Sequence, residues 1–123
     1  MATEFQDFAR ELFEPFGGVV FRRMFGGVGI FREGMMFALI IDDVLYLKAD
    51  EATRQRYEAE GSSPFSYDAK GREVVTSYWR LPDGVFDEPE RFMGLAREAF
   101  AVAERAQARK PVKGKKGKAK GKS

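Results

Sequence analysis

The chain has 123 residues, 44% of them hydrophobic and 33% charged, with neither cysteine nor histidine. That length suits one domain with a single core. The missing residue types exclude disulfides, thiolate or imidazole metal sites, thiol nucleophiles and Ser-His-Asp triads. The formal net charge of +2 divides unevenly. From Arg109 onward the sequence holds eight basic residues and no acidic one, whereas residues 1–108 carry 13 basic and 19 acidic side chains, a net charge of −6.

Thr3 and Gln6 form a candidate capping box for a first helix, with Phe5, Phe8, Ala9, Leu12, Phe13 and Phe16 at helical spacing and Pro15, Gly17 and Gly18 ending it. An aromatic stripe of this kind is expected to cover a sheet. The period then changes to two. Residues 19–25, 28–33, 35–41 and 44–48 read as strands, reversed at Glu33-Gly34 and Asp42-Asp43. Connections so short join antiparallel neighbours, and residues 35–41, apolar on both faces, belong inside the sheet.

Asp50 is placed to cap a short helix ending at Gly61, expected at the sheet edge and largely exposed, with Ala52, Tyr57 and Ala59 as its apolar content. Phe65 and Tyr67 alternate with polar residues, Asp68-Ala69-Lys70-Gly71 turns the chain, and residues 74–81 form a long strand. Asp87-Glu88-Pro89-Glu90 opens the last helix, whose apolar face is Phe92, Leu95, Ala96, Ala99, Phe100, Ala103 and Ala106. The predicted fold is α+β: a two-layer sandwich in which an antiparallel sheet of five or six strands is covered by two long helices and accompanied by one short helix.

Arg22 to Phe31 is glycine-dense, but it matches neither G-x-G-x-x-G nor G-x-x-x-x-G-K-[ST] and leads into a strand. It reads as a bulged or bent strand with Met24 and Phe25 anchored in the core. In residues 74–81, alternation sets Val75, Ser77, Trp79 and Leu81 on one face and Val74, Thr76, Tyr78 and Arg80 on the other. Trp79 is expected in the core; Tyr78 and Arg80, beside Arg22 or Arg23, would make a stacking and phosphate-contacting surface for single strands. Asp42-Asp43 could ligate a hard cation but reads as a solvated turn. Lys48 reads as a snorkelling surface residue. No acid–base pair, nucleophile motif, metal site or cofactor motif emerges.

Residues 1–108 are thus expected to fold and residues 109–123 to form a disordered lysine-rich tail, lacking the apolar surface to offset ordering. Arg109, Lys110, Lys113, Lys115, Lys116, Lys118, Lys120 and Lys122 are the candidate contacts for non-specific binding of DNA or RNA. The N-terminus lacks signal-peptide character, and the longest strongly apolar run, residues 35–41, falls short of the ~20 residues of a membrane span, so a cytoplasmic location without membrane contact is expected.

The runs Arg23-Met24-Phe25-Gly26-Gly27-Val28-Gly29-Ile30-Phe31, Met36-Phe37-Ala38-Leu39, Leu45-Tyr46-Leu47-Lys48, Pro64-Phe65-Ser66-Tyr67 and Ser77-Tyr78-Trp79-Arg80-Leu81-Pro82 resemble, in order, the N-terminal domain of the TfoX/Sxy competence regulators. The resemblance spans about residues 5 to 106. It implies a secretion-chaperone-like two-layer fold, no catalytic residues, and transcription regulation through a protein partner, full-length members acting alongside the cyclic-AMP receptor protein. Full-length members continue into a helical C-terminal domain where this sequence has its lysine-rich run. A non-enzymatic regulatory adaptor is the leading expectation, and a nucleic acid-associated protein binding through its tail is the alternative. An unpaired sheet edge is compatible with a homodimer.

Overall fold

A computed structural model describes residues 3–24 and 26–109. Thr3 caps α1 (Glu4–Phe13), its hydroxyl oxygen accepting from the Gln6 backbone N–H at 3.1 Å. A 3₁₀ turn over Glu14–Phe16 follows, and Gly17 and Gly18 then lead into the sheet. Six strands form it: β1 (Val19–Met24), β2 (Gly27–Arg32), β3 (Met35–Ile41), β4 (Val44–Lys48), β5 (Pro64–Ala69) and β6 (Arg72–Arg80). Their spatial order is β1-β2-β3-β4-β6-β5, every pair antiparallel. A short helix α2 (Arg54–Ala59) connects β4 to β5, and a 3₁₀ turn over Asp83–Asp87 precedes the long helix α3 (Pro89–Arg109). The six-stranded antiparallel sheet and its three helices make the α+β fold expected from the sequence.

The expected reversals fold as read. Glu33-Gly34, Asp42-Asp43 and Lys70-Gly71 each place residues at positive φ, the backbone that two-residue hairpins need to match strand twist. Strand β3 is interior, as its two-sided apolar content requires. Both long helices lie on one face. There Phe13 of α1 meets Phe21, Phe37 and Phe92 with ring centroids 6.2, 5.7 and 5.0 Å apart, all near edge-to-face. Such pairs add ~0.5–1.5 kcal/mol each beyond their buried area. The Arg32 guanidinium lies 4.4 Å from the Phe16 ring centroid and 5.1 Å from that of Phe100, closing the layer's margin.

A β-bulge serves this core. Ile30 pairs with Ala38 but Phe31 pairs with Met36, so Phe37 is an extra residue in β3. The side chains of Phe37 and Ala38 therefore both enter the helix-covered layer, and both are fully buried.

Four local expectations are corrected. Residues 22–31 are not one bulged strand. Met24 pairs with Gly27, closing a two-residue hairpin, and the bulge lies in the facing strand β3. Met24 is only partly buried and lies outside the helix-side core; Phe25 falls outside the described residues. Asp50 does not cap α2 itself: its carboxylate accepts from the Ala52 and Thr53 backbone N–H groups in a preceding turn, and the helix starts at Arg54. Nor is α2 wholly superficial, since Tyr57 is 2% exposed with its ring against Trp79. Finally, Trp79 and Leu81 are buried as expected, but Val75 is 59% exposed, because residues 72–75 pair only with β5 and project beyond the end of β4.

Candidate interaction surface

The helices leave the second face of the sheet bare among the described residues. Cross-strand partners share a face, so the registers identify its members. One row runs Arg22, Gly29, Leu39, Tyr46, Arg80 across β1, β2, β3, β4 and β6. The alternate strand positions add Val20, Met24, Phe31, Met36, Ile41, Lys48, Tyr67 and Tyr78. An antiparallel sheet with one solvated face ordinarily turns polar residues outward. This one turns out aliphatic, aromatic and basic side chains.

Leu39, Ile41, Phe65 and Tyr67 line an apolar cavity of about 240 Å³ on this face. Phe65 bridges Tyr46 and Tyr67, at 5.4 and 5.9 Å between ring centroids. Tyr67 and Val20 are 48% and 52% exposed. Tyr78 donates its hydroxyl to the Met36 carbonyl at 3.2 Å, and burial pushes its phenol up to about 12. Burial also raises Tyr46, partly offset by the charge of Arg80. Gly29 lets the two thioethers of Met24 and Met36 close over the backbone, where a Cβ would stand 2.5 and 2.8 Å from their sulfurs.

The compact single-strand stacking site expected from Arg22 or Arg23 with Tyr78 and Arg80 does not form. Arg22 and Arg80 share a row, but three strands intervene; four spacings of about 4.8 Å place their backbones roughly 19 Å apart. Arg23 projects to the other face. It lines a cleft of about 580 Å³ with Thr3, Gln6, Arg10 and Phe21, between α1 and the β1–β2 hairpin. The Lys48 ammonium sits 4.9 Å over the Tyr78 ring and donates to Ser77 at 3.1 Å. It is thus engaged with its neighbours, where the sequence suggested a simple snorkelling lysine.

Asp42 and Asp43 form the β3–β4 turn, with Asp43 accepting from the Thr3 hydroxyl at 3.0 Å. Among the described residues no group of three or more histidine, cysteine, aspartate or glutamate side chains is placed to hold a metal ion. Arg109 is the exposed last residue of α3. The seven remaining tail candidates, Lys110, Lys113, Lys115, Lys116, Lys118, Lys120 and Lys122, lie outside the described residues. Among those described, no helix is long and apolar enough to cross a membrane.

Sequence reading missed the centre of this surface, Leu39, Ile41, Tyr46, Phe65 and Tyr67. Its signals were the two-sided apolar character of residues 35–41 and the alternation of Phe65 and Tyr67 with polar residues. The first gives burial on both faces, but neither tells which face lacks a helix.

The fold and this surface define a class: a two-layer α+β domain with one helical layer and one apolar and basic sheet face that no helix covers among the described residues. The chain belongs to the TfoX N-terminal domain family, whose pattern matches residues 11–103. It is 31% identical over 79 residues to the DNA transformation protein TfoX1 of Aliivibrio fischeri, an overlap covering 64% of this chain and 38% of that one. It is 23% identical over 95 residues to Protein Sxy of Escherichia coli, covering 77% and 46% respectively. The chain thus spans less than half the length of either relative.

Proposed function

We propose that the chain is a non-enzymatic regulatory adaptor domain of the competence-regulator type, acting on transcription through a protein partner held on the bare sheet face. The observation that carries this reading is that face, which no helix covers among the described residues and on which Val20 and Tyr67 are exposed beside the part-exposed Ile41, Tyr46 and Phe65, a surface of the kind monomers bury in partners. Membership of the TfoX family and the name of the transformation protein it resembles supply the process. The absence of histidine and cysteine leaves little of the usual acid–base and nucleophilic chemistry.

The test is genetic. Deleting the gene that encodes the chain should lower transcripts of DNA-uptake genes and the frequency of natural transformation. Complementation with the wild-type gene should restore both, and a gene carrying Ile41→Asp and Tyr67→Asp, expressed at the wild-type level, should not. Unchanged transcripts and transformation after deletion would refute the adaptor reading.

A second reading rests on charge: the eight basic residues from Arg109 onward suit sequence-independent nucleic acid binding. Eight phosphate contacts on duplex DNA would give a slope of log K against log salt of about −7. Gel shifts at several salt concentrations check this, comparing the wild-type chain with one whose seven tail lysines are glutamine. A slope near zero, or equal binding by the two, would remove this reading.

A further inference from the structure

The geometry points to an acidic amphipathic helix of a partner protein as the occupant of the bare sheet face. This inference rests on the adaptor reading above and specifies the chemistry of its partner. The row Arg22, Gly29, Leu39, Tyr46, Arg80 has a cation at each end and an apolar floor between them. An α-helix with its side chains is ~10–12 Å across. It fits between two arginine backbones roughly 19 Å apart, with its apolar stripe on the part-exposed Ile41, Tyr46 and Tyr67, which lie around the buried Leu39, and a carboxylate-bearing flank facing each guanidinium. The adjoining cavity of about 240 Å³ lined by Leu39, Ile41, Phe65 and Tyr67 would receive an apolar side chain from the stripe. Met24 and Met36, which meet over Gly29, supply an adaptable wall.

Charge selects among occupants. The strand positions of this face carry Arg22, Lys48, Arg72 and Arg80 and no acidic residue, although residues 1–108 have a net charge of −6. The carboxylate of Asp42, in the β3–β4 turn, acts on Tyr46 of the row, but its effect there is smaller than that of Arg80. Arg80 meets Asp83 at 3.3 Å, but both are exposed, and a surface pair of this kind is worth at most ~1 kcal/mol. A second copy laid face to face would set these cations against themselves. Residues 110–123 of the same chain bring seven lysines and no carboxylate, and are disfavoured alike. Nucleic acid satisfies the charge but not the stacking. The Phe31 ring is covered by Arg22 at 5.5 Å and the Tyr78 ring by Lys48 at 4.9 Å, while Phe65 and Tyr67 stack on each other. Base stacking draws on successive free ring faces, of which these contacts leave few beyond the exposed Tyr67, whereas an apolar helix stripe also uses the aliphatic and ring-edge surface present here.

The experiment is an NMR titration of the full-length chain with three probes. One is a synthetic helical peptide of about five turns bearing a leucine stripe flanked by glutamates, the second its lysine-for-glutamate counterpart, and the third a single-stranded oligothymidylate. The acidic peptide should bind at least about ten-fold more tightly than the basic one, a difference of ~1.4 kcal/mol. Its shifts should centre on Leu39, Ile41, Tyr46, Phe65 and Tyr67. The double variant Arg22→Glu, Arg80→Glu, with wild-type circular dichroism and melting, should reverse the preference between the peptides. Shifts confined to the helical layer, equal affinity for the two peptides, or an unaltered preference in the double variant would overturn the inference. So would tighter binding of the oligothymidylate to the same residues, or self-association through them. If the peptides fail while gene deletion still lowers transcripts, the adaptor reading stands and only this assignment falls.

Discussion

Gly27→Ala tests the way the β1–β2 hairpin is seated against the sheet. A Cβ at residue 27 would stand 2.2 Å from the Ile40 carbonyl oxygen, 2.5 Å from Ile41 Cδ1 and 3.3 Å from the Ile40 carbonyl carbon. The isoleucine methyl can rotate away, but the carbonyl belongs to interior strand β3, and Ile40 is 1% exposed. Relief therefore requires a backbone shift. Overpacking ordinarily costs ~1–3 kcal/mol, and a contact with central backbone belongs at the upper end, about 3 kcal/mol. Gly29→Ala is the matched control. Its Cβ would meet Met24 Sδ at 2.5 Å, Met36 Sδ at 2.8 Å and Phe31 Cε1 at 3.0 Å, all side-chain atoms. Two of the three end flexible thioether chains that can swing outward, so about 1 kcal/mol is expected. At ~4 °C per kcal/mol for a domain of this size, Gly27→Ala should lower Tm by about 12 °C and Gly29→Ala by about 4 °C. Urea and thermal unfolding followed by fluorescence of Trp79, the sole tryptophan, provide the assay. A Gly27→Ala protein melting with the wild type, or one less destabilised than Gly29→Ala, would refute the close approach of β2 to β3.

Other substitutions probe the core and the ionisable groups. Phe37→Ala should cost ~3–5 kcal/mol in urea unfolding, since the bulge commits this fully buried ring to contacts with Phe13, Phe16 and Phe100. Val75→Ala, in the projecting arm, should stay within ~0.5 kcal/mol of wild type, and a larger loss would mean the arm is covered. The Arg105 guanidinium, 2.8 Å from the Asp50 carboxylate, holds that group below its ordinary range. A depressed carboxylate contributes stability above its unfolded value of ~3.9 and loses it as pH falls through the folded one. Asp50→Asn should therefore be less stable than wild type at pH 7, and the gap should close in acid; a gap constant from pH 7 to 2 would refute the coupling. Tyrosines run the other way. With Tyr78 pushed up to about 12 and Tyr57 raised by burial as well, stability should be complete below pH ~10 and decline above it. Phenolate absorbance should show these two ionising last, and Tyr78→Phe should delete the step near 12. Four tyrosines titrating together near 10 would contradict their burial.

The local sequence determined a good deal. Helical spacing of Phe5, Ala9, Leu12, Phe13 and Phe16, and of the α3 apolar series from Phe92 to Ala103, marked the faces the two long helices bury, but Phe8 of the same expected stripe is 40% exposed, packing on Phe5 and Phe86 at its edge. The reversals at Glu33-Gly34, Asp42-Asp43 and Lys70-Gly71 followed from residues that tolerate positive φ. These properties are legible because they depend on contacts within a few residues. The sheet order was not. Inserting β6 between β4 and β5 is a choice among distant pairings, decided by which faces the helices can cover and not by any local period.

The same distinction governs the candidate surface. Arg22 and Arg80 were visible as cations on strands, but their shared row depends on four successive registers. Sequence alone does not separate the hairpin closed by the Met24–Gly27 pair from a bend, because the glycines at 26, 27 and 29 suit either geometry. The true bulge at Phe37 is set by the facing helices, which take up one more ring than strict alternation would supply. Tyr57 looked like a surface residue of a polar helix until Trp79 gave it a partner. Composition and spacing decided which side chains could be buried or charged. Only the tertiary structure decided which of them face one another, because a cross-strand pair or a covered face is a contact between segments whose separation along the chain carries no periodic signal.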